Sequence, residues 1–98
     1  MLAYYDTFFG LIPCRIAAVG DWSSADSLAR IQLTAGRGAY RRGEWLTVPL
    51  RSVVPRRAVF RRAGCKMIRR YSWPAIVAEA RAGAALNRAT LDALRAGA

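Results

Sequence analysis

Leu28-Ala29-Arg30-Ile31-Gln32-Leu33-Thr34-Ala35-Gly36-Arg37-Gly38-Ala39-Tyr40-Arg41-Arg42-Gly43-Glu44-Trp45-Leu46-Thr47-Val48-Pro49-Leu50 is the stretch that decides how this chain folds. In its first third Ala29, Ile31 and Leu33 alternate with Arg30, Gln32 and Thr34. That is the pattern of a strand with one face buried; a short helix capped by Ser24 is the alternative. In its last third Leu46, Val48 and Leu50 alternate with Trp45 and Thr47, and Pro49 lies near the end of the segment. The three glycines between Ala35 and Gly43 require a loop or hairpin connection, because glycine weakens a strand interior and admits positive φ.

The same reading extends in both directions. Leu11 to Val19 is a short apolar run that suits an edge or first strand beginning after Pro13, and Asp21 to Ser27 has turn chemistry. Ser52-Val53-Val54 is a last short strand before Pro55. Tyr4, Tyr5, Phe8 and Phe9 form i,i+4 pairs on an N-terminal helical turn. The chain is therefore expected to be a single α+β domain over residues 1–98, mainly β over 1–55 and mainly α over 56–98. The β part is a small bent antiparallel sheet or a partly open small β-barrel of three to five short strands. A basic amphipathic helix and a C-terminal Ala-rich helical segment follow it.

The basic helix is read from Arg57 to Tyr71. At about 100° per residue, Phe60, Ala63, Gly64, Met67 and Tyr71 fall on one side, while Arg62, Lys66 and Arg69 gather opposite with Arg70 near their edge. A hairpin turning at Ala63-Gly64 is the competing structure. Beyond Pro74, Ile76, Val77, Leu86, Leu91 and Leu94 are apolar anchors of one interrupted helix or two short ones packed on the sheet. Ser72 and Thr90 are candidate N-caps, with Gly83 and Asn87 marking the break.

The run Ile31 to Val48 resembles the strand, glycine loop and strand of KOW-type small β-barrels, in which a basic loop closes on a glycine before the next strand. The resemblance covers about a fifth of the chain. Its departures are Trp45 and Thr47, where the family repeats small or aliphatic residues, and a long C-terminal extension. The resemblance implies binding to RNA or protein within ribosomal and transcription machinery.

Charge narrows the function. Between Arg37 and Arg70 stand Arg37, Arg41, Arg42, Arg51, Arg56, Arg57, Arg61, Arg62, Lys66, Arg69 and Arg70 against the single acid Glu44, so this third of the chain carries the whole net charge of +10. Such a concentration repels itself and calls for a polyanion or an acidic partner. The loop residues Arg37, Tyr40, Arg41 and Arg42 and the segment residues Arg57, Arg61, Arg62, Lys66, Arg69 and Arg70 are the candidate nucleic-acid contacts. Tyr40 is the stacking candidate, with Tyr71 second. Fifteen of the sixteen basic residues are arginine, whose guanidinium forks pair with phosphate and stack on bases. Tyr4, Phe8, Phe60 and Trp45 read as core.

The hydrophobic content of 54% argues for a folded chain despite the charge. With no His and two isolated thiols, Cys14 and Cys65, neither a zinc site nor a Ser or Cys triad is expected. No glycine loop ends in Gly-Lys-Ser/Thr, and Asp21, Asp26 and Glu44 are scattered across turns. No catalytic residue, metal or cofactor is assigned. The N-terminus lacks a basic n-region, and no apolar stretch is long enough for a span, so neither a signal peptide nor a membrane partner is expected, and a cytoplasmic location is the expectation. The expected function is a small non-enzymatic protein that binds DNA or RNA through the phosphate backbone with low sequence specificity. The alternative is a phage- or plasmid-type accessory or inhibitor protein that docks on an acidic surface of a protein or ribonucleoprotein.

Overall fold

The computed structural model describes residues 1–97. Its strands are β1 (Leu2–Thr7), β2 (Gly10–Val19), β3 (Leu28–Leu33), β4 (Trp45–Pro49), β5 (Val53–Pro55), β6 (Val59–Arg62) and β7 (Cys65–Ile68), followed by one helix, α1 (Trp73–Ala96). β1 to β5 form an antiparallel sheet in the order β4-β3-β2-β1-β5, and β6 with β7 forms a separate two-stranded ribbon. The fold is α+β, and the alternating residues 28–50 supply β3 and β4.

The sheet is strongly curled, and chain connectivity says why. β4 and β5 occupy its opposite edges, about 19 Å apart if five strands lay flat. They are joined only by the 3₁₀ turn Leu50–Ser52, which spans roughly 6 Å. The sheet must therefore roll until its edges approach, although no ladder closes β4 onto β5. The register fills the roll: Ala3 faces Cys14, Cys14 faces Leu33, Ile16 faces Ile31, and Ala29 faces Val48. With Ile12, Leu50 and Val53 these residues form the buried core. An irregularity in register between Ile16 and Ala18 lets β2 bend around it.

Four expectations are corrected. Tyr4 to Thr7 lie in β1 rather than in a helical turn, since pairing with both β2 and β5 outweighs the local i,i+4 aromatic pattern. β2 begins at Gly10 and contains Pro13. The Pro13 carbonyl accepts the Thr34 amide at 2.9 Å, so its donorless nitrogen faces the same way, at the point where β3 ends. The basic segment is not a helix. After a 3₁₀ turn at Arg56–Ala58 it is the β6-β7 hairpin, so strand structure continues to Ile68. Ala63 (φ 52°) and Gly64 (φ 83°) both adopt the left-handed conformation that a two-residue hairpin turn demands. Val59-Phe60 and Met67-Ile68 supply the β-prone pairs on either side.

The fourth correction concerns α1. It runs without a break through Gly83 and Asn87, because its many alanines carry the helix past both. The Ser72 side chain accepts from the Ala75 amide as its N-cap, whereas the Thr90 hydroxyl donates to the Leu86 carbonyl inside the helix. Only Trp73, Ile76 and Val77 of α1 are buried. Trp73 packs on Trp22 with ring centroids 5.3 Å apart, and its Nε1 donates to the Val53 carbonyl at 3.3 Å. Beyond Val77 the helix leaves the core instead of lying on the sheet, and a helix of this length is about 36 Å long.

Candidate nucleic-acid interface

Because side chains alternate along a strand, the residues not used in the core line the outer face of the sheet. Tyr4 on β1 stands opposite Pro13 on β2; Arg15 on β2 stands between Leu2 and Gln32; Gln32 on β3 stands opposite Trp45 on β4. Arg30 belongs to the same face, with its guanidinium 5.3 Å from the centroid of the Trp45 ring and a hydrogen bond from Nη1 to the Thr47 hydroxyl at 3.2 Å. A groove lined by Arg15, Gln32, Leu33, Thr34, Arg42 and Gly43 brings the loop residue Arg42 onto this face.

The hairpin reaches the same face from the other side. Lys66 Nζ lies 5.5 Å from the centroid of the Tyr4 ring and the Arg56 guanidinium 5.7 Å from it. Adjacent strands are about 4.8 Å apart, so the cations at Tyr4 and those around Arg15 and Gln32 are separated by only one or two strand spacings. Pairing of Arg61 with Lys66 and of Arg62 with Cys65 places Arg61 on the Lys66 side of the hairpin and Arg62 on the other. Arg69 is drawn back over the Phe60 ring at 4.4 Å, and with Arg57 and Arg70 it lines a shallow cleft at the base of α1.

Of the candidate residues, the structure brings Arg42, Lys66 and Arg61 toward the sheet face and sets Arg62, Arg69 and Arg70 on the hairpin and the chain leaving it. Arg57 is held by the Glu79 carboxylate of α1. Arg37 lies elsewhere, at the end of the sheet near the β1-β2 turn, where its Nη1 donates to the Phe9 carbonyl at 3.2 Å. Arg41 is exposed in the same loop. The loop is shaped by the Arg37-Tyr40 bridge and by Gly38 (φ +59°), where an added Cβ would meet the Phe9 ring at 2.8 Å. Tyr40 is not a free platform: its ring is half-buried, edge-on to Tyr5 at 5.6 Å and near Phe9 at 6.4 Å. Burial, reinforced by the neighbouring Tyr40 phenol, pushes the Tyr5 phenol up to about 12.

None of the four aromatics read as core joins the buried cluster: Tyr4 lies half-buried on the outer face, Phe60 is half-buried in the hairpin, and Phe8 and Trp45 are exposed at 99% and 47%. Phe8 caps the β1-β2 turn, where no second layer covers it; Trp45 faces outward on an edge strand. Sequence reasoning also left out Arg15, Arg30 and Gln32, and the signal that finds them is the alternation itself, which assigns polar residues of β2 and β3 to the face opposite Ile16 and Ile31. Cys14 is buried and Cys65 exposed, and both thiols are free. Burial pushes Cys14 up to about 11. Among the described residues no three His, Cys, Asp or Glu side chains converge on a point, and no helix is long and apolar enough to cross a membrane. No family model, no curated protein and no solved structure matches this chain, so the resemblance over residues 31–48 stands on those residues alone.

Proposed function

We propose that this chain is a non-enzymatic nucleic-acid-binding protein that holds the phosphate backbone of DNA or RNA across the outer face of the sheet, from Arg30, Arg15 and Arg42 to Arg56, Lys66 and the hairpin. The observation that carries the reading is the lack of internal neutralisation: among the described residues, only Arg51 and Arg57 have carboxylate partners, Asp26 and Glu79. An exposed cation row without acids to balance it lowers its repulsion by condensing on a polyanion. Trp45 with Arg30 stacked on it offers an exposed π face to an unpaired base. Contacts from guanidinium and ammonium groups to phosphate dominate this reading, so sequence discrimination is low. The reading includes a cytoplasmic location, supported by the two unpaired cysteines.

A binding titration over a range of salt concentrations tests it. Neutralising six to eight phosphates on duplex DNA gives a slope of log affinity against log salt of roughly −5 to −7. A slope shallower than about −2, on both duplex and single strands, overturns the proposal.

A further inference from the structure

The part of α1 beyond Val77 carries three rows that each repeat every seven residues. Val77, Ala84 and Leu91 form one row, Ala80, Asn87 and Leu94 the second, and Arg81, Arg88 and Arg95 the third, flanking the first. This is the a, d and e pattern of a two-stranded coiled coil, in which a and d make the seam and e faces the partner's flank. The seam is bare: Val77 packs on the domain, but Leu91 is 54% and Leu94 67% exposed. The arginines of the third row have no carboxylate partner among the described residues.

The flanks decide what covers the seam. On the side opposite the arginines, the row is Gly83, Thr90 and Gly97, uncharged throughout. A second copy laid parallel would set Arg81, Arg88 and Arg95 against Ile76, Gly83 and Thr90 and gain no ion pair. Laid antiparallel, it would set arginine against arginine. A helix with an apolar heptad seam and carboxylates on the facing flank satisfies both leucines and all three guanidinium groups.

We infer that the distal half of α1 is a docking surface for an acidic amphipathic helix of a partner protein, which pairs with the Ala80-Ala84-Asn87-Leu91-Leu94 seam and places Glu or Asp opposite Arg81, Arg88 and Arg95. This surface is separate from the sheet face and does not depend on nucleic-acid binding.

Two synthetic 21-residue helical peptides with leucine at the seam positions, one with Glu and one with Lys on the facing flank, test the inference against the full-length protein. By fluorescence anisotropy at 150 mM salt, the Glu peptide is expected to bind at least tenfold more tightly than the Lys peptide. In the triple variant Arg81→Glu, Arg88→Glu, Arg95→Glu the preference reverses. Since that variant keeps a positive net charge, general attraction of an acidic peptide to a basic protein would leave the preference as it was. An unreversed preference, failure of both peptides to bind, or self-association in sedimentation that Leu94→Glu abolishes overturns the inference. The substituted positions are exposed, so retention of the helix by circular dichroism shows that the fold is intact.

Discussion

Arg57 and Glu79 form an ion pair that ties the root of the β6-β7 hairpin to the second turn of α1. Glu79 is the only acid in the first half of that helix, and it engages one arginine while those nearer the hairpin tip stay free.

Arg57 is therefore the internal control for phosphate binding. Arg42→Ala and Lys66→Ala should each reduce the magnitude of the salt slope by about one, the signature of one lost phosphate contact. Arg57→Ala should leave the slope unchanged, because that charge already has a partner. Equal reductions for all three in the same titration would place the contact surface at the hairpin root instead.

Trp73 anchors α1 through its ring contact with Trp22 and its hydrogen bond to Val53. Trp73→Ala should destabilise the protein by about 3–5 kcal/mol in urea unfolding, the range for emptying a large buried aromatic site. Leu94→Ala, at an exposed position of the same helix, should change stability by no more than about 0.5 kcal/mol.

Stability should fall on the alkaline side in two overlapping stages. The Cys14 thiol is raised from its ordinary 9.0 to about 11 and the Tyr5 phenol from 10.0 to about 12, in both cases chiefly by burial. The folded state thus favours the neutral forms, and the unfolded chain loses these protons first. The contribution is complete below pH 9, and it is lost through pH 9–11 for Cys14 and pH 10–12 for Tyr5. Thermal melts against pH should show this decline, and Cys14→Ala should remove its first stage only.

Ala63 holds a left-handed φ of 52° in the hairpin turn, where a Cβ costs about 1 kcal/mol or more. Ala63→Gly should stabilise the hairpin by about that amount and slow amide exchange in β6 and β7 several-fold. Exchange in β2 and β3 should not change.

The sheet was legible because one side of each alternating run had to be buried. The register then fixed the outer face, including the Arg30, Gln32 and Thr34 side that the alternation exposes. The hairpin was less legible: its cations fit a helical wheel, and only the pairing of Ala63 and Gly64 in left-handed geometry separates a tight turn from a glycine inside a helix. β1 misled because Tyr4, Tyr5, Phe8 and Phe9 carry both a helical and a strand period, and the choice is made by β5, a partner remote in sequence. The candidate site was legible as charge but not as place. A one-dimensional charge run cannot show that Arg57 meets Glu79, or that Arg15, far upstream, shares a groove with Arg42.

The three-residue leash between the edge strands also governs how the molecule comes apart. Peeling β5 from β1 leaves it tethered within three residues of β4, so the two rims stay close together and can re-pair quickly. The five strands should open as one cooperative unit with a common exchange free energy, whereas the ribbon and the far end of the helix fray independently and earlier.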